Sequence, residues 1–163
     1  MPATAAWRRL FAALPLLLAI ALALPMFTVS TADAAMSRRE RKIHHGVQVA
    51  RNQKGDPYVY GAEGPNAFDC SGLTMYSYGK AGIYLPRSSD AQYRYVRHIK
   101  KSNIRRGDLM FFHSGGSVYH VAIFLGRHDG NTWLLHASRP GTPVKRDPAW
   151  TRSWYAGTLR HRG

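Results

Sequence analysis

Cysteine is the rarest informative residue in this chain of 163 amino acids, which contains a single one, Cys70. One thiol cannot form a disulfide within the chain, so a fold held together by a disulfide framework is excluded. The sequence also contains no internal repeat, linker or low-complexity tract, which argues against a repeat protein and against a second domain. With 45% hydrophobic residues, a chain of this length can bury one ordinary core.

The first 34 residues have the pattern of an export signal rather than of a folded segment. A short basic start, Arg8-Arg9, precedes an apolar run over residues 10–24, and Ala32-Asp33-Ala34 is a small-residue cleavage site. An uncleaved membrane anchor is the alternative, but Pro15 and Pro25 interrupt the apolar character. We expect cleavage after Ala34, a secreted or periplasmic protein, and no stable membrane insertion after cleavage.

Acidic residues are scarce as well. The chain has nine of them against 23 lysines and arginines, which gives a formal net charge of +14. A surface this basic predicts a polyanionic partner, although solubility alone is the simpler reason for such a charge. An exported protein meets wall carboxylates, teichoic acids and acidic lipid head groups before it meets nucleic acid. We therefore expect anionic wall polymers as partners and no nucleic acid.

Residues 35–55 predict a basic N-terminal helical segment. Ile43, Val47 and Ala50 form one apolar stripe among arginines and lysines, and Gly55 ends the pattern. The remaining residues, 56–163, are expected to form the main domain.

Cys70 is predicted to lie in the first turn of a short helix. Asp69 is a favourable N-cap residue, the pattern after it is helical as far as Lys80, and Gly82 ends it. The free N–H groups and the helix dipole at this position favour a thiolate over a thiol. The alternative is a cysteine that is merely a small buried apolar residue.

After a second short helix that begins at Ser88 or Ser89, the pattern changes to strands. They are expected over residues 109–112, 119–125 and 132–137, with two more near 143–145 and 154–159. The chain is thus predicted to be an α+β domain whose N-terminal helices pack on an antiparallel sheet of five to six strands.

Two histidines are predicted to meet on this sheet. If the strands around residues 119–137 form a hairpin in which Gly126 pairs with Gly130, His120 and His136 lie directly opposite each other. Their Cβ atoms would then be ~5 Å apart, within reach of a hydrogen bond between the two rings. A helix-start cysteine with two adjacent histidines has the nucleophile, base and orienting group that acyl transfer needs.

At this point the sequence resembles a known family, the NlpC/P60 cell-wall peptidases. The resemblance covers roughly residues 45–160. It rests on five ordered blocks: Phe68-Asp69-Cys70-Ser71-Gly72-Leu73, Leu85-Pro86-Arg87-Ser88-Ser89, Arg106-Gly107-Asp108-Leu109, His120-Val121-Ala122-Ile123-Phe124 and Leu135-His136-Ala137-Ser138.

The resemblance implies a papain-like NlpC/P60 fold for residues 56–163 and hydrolysis of peptidoglycan stem peptides. The bond cut in this family is typically the one between D-glutamate and the following diamino acid. Neither a cofactor nor a metal is implied.

The same resemblance implies roles for individual residues. Cys70 corresponds to the nucleophile, His120 to its base and His136 to the polar residue that orients the base. Tyr58, with the Cys70 N–H, is placed to stabilise the oxyanion. The family uses the positions of three further residues around the amino end of its substrate: Asp69, Ser71 and Ser88.

Three other interpretations remain open at the level of sequence. Cys70, His120 and His136 are ligand types that suit zinc, although their spacing lacks the short pairs of most zinc sites. The chain could be a non-catalytic wall-binding module, or a papain-like amidase that cuts between muramic acid and L-alanine.

Overall fold

A computed structural model describes residues 36–160, so the predicted export signal lies outside the described residues. Three α-helices come first: α1 (Arg38–Asn52), α2 (Cys70–Lys80) and α3 (Ser89–Tyr95). None of the helices within this range is both long and apolar enough to cross a membrane.

Six strands follow and form one antiparallel sheet in the order β1-β6-β2-β3-β4-β5. Their bounds are β1 (Arg97–Ile99), β2 (Leu109–Ser114), β3 (Ser117–His128), β4 (Asn131–His136), β5 (Lys145–Pro148) and β6 (Trp154–Thr158). The predicted α+β class with a five- to six-stranded antiparallel sheet is confirmed.

Both faces of the sheet are covered by apolar residues. Alternate side chains such as Phe111, Val121 and Ile123 join the helices in a larger cluster, to which α1 contributes its predicted stripe. The other alternation, which includes Ala122 and Phe124, belongs to a smaller cluster on the opposite face. Because side chains alternate along a strand, His120 lies on the same face as Ala122 and Phe124, as expected.

Polar side chains cap the starts of all three helices, as predicted for α2 and α3. Ser37 accepts a hydrogen bond from the Glu40 N–H at the start of α1, and Ser88 accepts one from the Ala91 N–H at the start of α3. At α2, the Asp69 carboxylate accepts from the Gly72 N–H at 2.7 Å. Each bond satisfies an N–H that the first helical turn leaves unpaired.

Two strands differ from the sequence prediction. β1 was not predicted, because its three residues are too few to show an alternation of apolar and polar side chains. They form a strand only through their pairing with β6. β5 was expected near residues 143–145 but runs over Lys145–Pro148.

Replacing Gly72 by alanine is expected to lower the free energy of unfolding by about 1–3 kcal/mol. A Cβ at this position in α2 would lie 2.1 Å from the Ala62 carbonyl oxygen, which is backbone and also accepts the Asp69 N–H. The loop before Cys70 would have to move. Chemical denaturation of the two proteins measures the difference.

Gly79 in the same helix is the matched control. Nothing lies within 4 Å of a Cβ built on it. Gly79→Ala should therefore stabilise the protein by roughly 0.5–1 kcal/mol, the usual gain from replacing a helical glycine. Equal effects of the two substitutions would show that the close approach at Gly72 has no energetic consequence.

Candidate active site

One cavity of about 420 Å³ brings together four of the predicted site residues: Tyr58, Cys70, His120 and His136. It lies where the start of α2 meets β3 and β4. Asp147 and Trp150 also line it. A cavity of this size suits a small peptide rather than a flat protein partner.

The backbone around Phe68 places Tyr58 beside Cys70. Tyr58 forms an isolated β-bridge with Phe68, and its N–H donates to the Thr142 carbonyl at 3.1 Å. Burial and the neighbouring Cys70 raise the pKa of the Tyr58 phenol. Its hydroxyl therefore keeps its proton at neutral pH and can donate a hydrogen bond.

The environment of Cys70 corrects the expectation of a stabilised thiolate. Burial raises the pKa of the thiol, and the adjacent Asp69 carboxylate adds to this rise. The N–H groups of Val121 and Ser71 favour the thiolate, but they do not outweigh burial. The resting form is thus a neutral thiol, which needs a base to become a nucleophile.

The two histidines meet, but not in the predicted register. Asp129 and Gly130, both at positive φ, form a two-residue turn, which suits an Asp-Gly pair. A bulge between Phe124 and Gly126 then shifts the pairing of β3 with β4. Beyond the bulge Ile123 pairs with Leu135, and the same register continued by one residue places His136 opposite Ala122.

His120 and His136 are therefore diagonal neighbours rather than direct partners. The shift is by an even number of residues, so both side chains stay on one face. The distance between His120 Nε2 and His136 Nδ1 is 3.0 Å, a hydrogen bond.

A carboxylate that the sequence reasoning missed continues this chain of contacts. His136 Nε2 lies 3.1 Å from an oxygen of Asp147, and the same oxygen lies 3.0 Å from Lys145 Nζ. Burial alone would raise the pKa of Asp147, but its bonds to His136 and Lys145 hold it below the usual range. The pairing of His136 in β4 with Lys145 in β5 brings Asp147 close enough to bond to His136. Predicting this contact from the sequence would have required the correct bounds of β5.

The Asp147 contact determines where the protons of both rings lie. An ionised carboxylate only accepts, so His136 carries its proton on Nε2 and presents a lone pair on Nδ1. His120 must then donate from Nε2, which leaves the lone pair of its Nδ1 free. The ring can act as a base only through that atom.

Burial keeps both rings neutral. His120 is 6% exposed and His136 is 2% exposed. Burial, with the neighbouring His136 ring, lowers the pKa of His120 to about 3. Burial also lowers the pKa of His136, although Asp147 opposes this effect.

Acid is expected to destabilise the protein through these histidines. An unfolded chain binds the His120 proton near pH 6.5, whereas the folded protein binds it near pH 3. The stability that comes from keeping His120 neutral is therefore fully present above pH 6.5 and is lost as the pH falls towards 3, at up to about 1.4 kcal/mol per pH unit. The lowered pKa of His136 acts in the same direction. Denaturant unfolding between about pH 6.5 and 5.5 measures the slope in a range where carboxylates of ordinary pKa remain largely ionised.

His120→Gln should make this slope shallower, whatever it does to stability at pH 7. His45→Gln removes a histidine from an exposed position on α1 and is the matched control. Parallel slopes for the His120 variant and the native protein would contradict the prediction.

Trp150 forms one wall of the cavity. Its ring stacks on Phe112 with centroids 4.1 Å apart and contacts both histidine rings at 5.5 and 5.6 Å. About half of its surface remains exposed. The ring thus shields the histidine pair from water on one side.

The other predicted site residues lie outside the lining of this cavity. Asp69 and Ser71 are buried, and both bind Arg87, which also pairs with Glu63 at 2.7 Å. Burial would raise the pKa of Asp69, but the Arg87 guanidinium and the Gly72 and Gly61 N–H groups hold it below the usual range. Ser88 is exposed at the start of α3.

The described residues of this site do not form a set of metal ligands. Across residues 36–160, no cluster of three or more His, Cys, Asp or Glu side chains could hold an ion. Both ring nitrogens of His136 are already in hydrogen bonds.

These features define an α+β protein of the papain-like class, with a thiol and a histidine pair in one cavity. A family model described as the NlpC/P60 family matches residues 55–163. The chain belongs to the NlpC/P60 family, and the resemblance seen in the sequence is confirmed.

Individual relatives agree with this assignment. The probable endopeptidase p60 of Listeria monocytogenes is 41% identical over 108 residues, which cover 66% of this chain and 21% of the relative. The chain therefore spans about a fifth of the length of that relative.

Solved structures show the same fold. The P60 domain of an antigen from M. avium subspecies paratuberculosis matches with a TM-score of 0.67 and 30% identity, over 77% of this chain and 100% of that chain. The peptidoglycan hydrolase RipB from Mycobacterium tuberculosis matches with a TM-score of 0.66 and 26% identity, over 81% of this chain and 72% of that chain.

Proposed function

We propose that this protein is an exported cysteine peptidase that hydrolyses peptidoglycan stem peptides at the bond between D-glutamate and the diamino acid. The observation that carries the proposal is the hydrogen-bonded series His120, His136 and Asp147, which lines one cavity with Cys70. The relatives support the substrate class, because they are named as endopeptidases and as a peptidoglycan hydrolase.

The reaction begins with proton transfer from the Cys70 thiol to the free Nδ1 of His120. The sulfur attacks the carbonyl carbon of the D-glutamyl residue, and the carbonyl oxygen becomes an oxyanion. The Cys70 N–H and the Tyr58 hydroxyl stabilise this charge. His120, now an imidazolium, remains bonded through Nε2–H to the Nδ1 lone pair of His136.

The intermediate then collapses. The bond from carbon to nitrogen breaks, and His120 gives its proton to the amine of the diamino acid, which leaves. A thioester remains on Cys70. Water attacks it with His120 as the base, the bond from carbon to sulfur breaks, and the thiol regains its proton. The cycle uses only groups of this chain and water.

Each member of the histidine series has a separate task in this mechanism. His120 moves the proton, whereas His136 holds the His120 ring in the tautomer that leaves Nδ1 free. Asp147 holds His136 in turn and compensates the positive charge that forms during catalysis. Asp69, Ser71 and Ser88 remain the predicted contacts of the amino end of the stem, with Arg87 already bound to two of them.

The cellular setting is part of the proposal. Residues 1–34 would direct export and be removed, residues 35–55 would support the domain, and residues 56–163 would carry the site. The working location would be the cell envelope or the secreted fraction. Peptidoglycan stems would be the substrate, and anionic wall polymers would bind the basic surface.

Mass spectrometry of defined muropeptides incubated with the protein from Ala35 tests the proposal. Products cut after D-glutamate are expected, and alkylation of the single thiol with iodoacetamide should abolish them. Cleavage between muramic acid and L-alanine would instead establish an amidase with the same mechanism. No cleavage, with retained binding to isolated wall sacculi, would identify a binding module.

A further inference from the structure

A second cavity, of about 490 Å³, lies beside the proposed catalytic one. Trp150 lines both cavities, so they adjoin at this residue. Three cations line the second cavity, namely Lys101, Arg127 and Arg152, together with polar groups such as Asn131 and Thr132. Its described lining contains neither aspartate nor glutamate.

Two of these cations are held in place by groups that do not neutralise them. Lys101 Nζ donates to the Arg152 carbonyl at 2.6 Å and lies 4.7 Å from the centre of the Trp154 ring. Arg127 donates to the Lys101 carbonyl at 2.6 Å and lies 5.3 Å from the Phe124 ring. Carbonyls and rings orient a cation without cancelling its charge, so the cavity stays strongly positive.

The third cation comes from the segment that also carries Trp150. Residues 149–153 join β5 to β6. The Ala149 N–H donates to the Thr132 carbonyl, the His113 N–H donates to the Ser153 carbonyl, and the Ser153 N–H donates to the Thr151 hydroxyl. Across residues 36–160 the Arg152 side chain has no hydrogen bond or ion pair. Asp129, the nearest acid in sequence to this lining, faces His128 instead.

We propose that this Lys101–Arg127–Arg152 cavity binds a carboxylate of the peptidoglycan substrate beyond the stem being cut. The inference rests on the proposed function. The cavity has the size of a ligand site, and its unpaired arginine suits two-point recognition of a carboxylate. Because Trp150 lines both cavities, a strand that has one stem in the catalytic cavity can continue past this ring and bring a further carboxylate to these cations.

A phosphate polymer would satisfy the same cations, but the common Trp150 wall favours the substrate itself. An independent wall polymer needs no contact with the catalytic cavity. A substrate that occupies both cavities gains affinity from its contacts in the second cavity, while its contacts in the catalytic cavity stay the same.

The test compares two substrates that differ only in length: soluble uncross-linked peptidoglycan strands and the disaccharide-peptide monomer. Arg152→Gln should raise KM for the strands roughly two- to fivefold, the usual effect of losing one exposed charge contact, with kcat unchanged. KM for the monomer should not change. Raising the salt concentration should weaken the preference for strands in the native protein and have less effect in the variant.

Arg152→Lys should recover part of the affinity for strands, because it keeps the charge. Arg97→Gln removes the same charge from exposed β1, which lines neither cavity, and should leave both KM values unchanged. The inference is overturned if Arg152→Gln affects the monomer and the strands equally, or if Arg97→Gln has the same effect.

Direct binding of strands separates this inference from the proposed function. Titration calorimetry with Cys70→Ala protein needs no cleavage. Weaker binding in the Arg152→Gln background supports the cavity even if the protein cuts nothing, and equal binding overturns it. A competition experiment compares soluble poly(glycerol phosphate) with free strands as displacers of bound strands. Displacement by poly(glycerol phosphate) at the lower concentration of charge would assign the cavity to phosphate polymers and overturn the proposal of a carboxylate ligand.

Discussion

Cys70→Ser is expected to lower kcat/KM for stem-peptide cleavage by at least about 10⁴-fold. The substitution exchanges sulfur for oxygen at the start of α2, where serine is well tolerated, so the fold should persist. The hydroxyl is a far weaker acid than the thiol. Proton transfer to His120 is therefore much less favourable from the hydroxyl than from the thiol, and the neutral hydroxyl is a poorer nucleophile than a thiolate. Muropeptide turnover measured by chromatography gives the rate constants.

Two further measurements make this outcome interpretable. Denaturation should show that the free energy of unfolding changes by less than about 1 kcal/mol, because the two side chains are nearly equal in volume. Thiol titration should count one reactive group in the native protein and none in the variant, since Cys70 is the only cysteine. A variant that keeps more than a tenth of the activity would show that Cys70 is not the nucleophile.

Asp147→Asn is expected to lower kcat by roughly 10- to 100-fold, with KM little changed. The amide can donate to His136 Nε2, which moves the His136 proton to Nδ1. His120 must then accept through Nε2 and hold its own proton on Nδ1, the atom that should receive the thiol proton. A wrong tautomer of this kind is known to be costly in serine proteases, where the carboxylate contacts the base directly. Here it acts through one more ring, so a smaller loss is expected.

A simple structural role for Asp147 would not reproduce two accompanying results, which a matched control variant completes. Nitrogen NMR of the imidazole rings should show a change of tautomer at both His136 and His120. In a His136→Gln background, Asp147→Asn should cause no additional loss, because its effect passes through that ring. Asp129→Asn removes an exposed carboxylate in the turn before β4 and should leave kcat unchanged. Additive losses in the double variant would contradict the relay.

The contact between His120 and His136 was predicted correctly, but the register predicted for their hairpin was wrong. Alternation correctly assigned His120 and His136 to one face of a hairpin. The assumed three-residue loop was wrong, because Asp129-Gly130 forms the tighter turn, and the bulge at Gly126 shifted the ladder again. The two rings are in contact all the same, because a register shift by an even number of residues keeps both side chains on one face of the sheet. Rings of this length also reach a diagonal neighbour.

Local information in the sequence was enough for the features that depend on near neighbours. The cap at Asp69, the start of α2 at Cys70, the apolar stripe of α1 and the alternation in β3 follow from side-chain chemistry within a few residues. The ordered motif blocks were enough for the family and its fold. These features are short-range or depend on residue order, so no three-dimensional knowledge was needed.

Tertiary structure alone decided the electrostatics of the site. Burial beside Val121 outweighed the helix start and raised the pKa of Cys70, and the β4–β5 register brought Asp147 to His136. The Lys101–Arg127–Arg152 cavity likewise joins residues from three separate segments. Desolvation and charge contacts depend on which distant segments pack together, and a local sequence pattern carries no record of that packing.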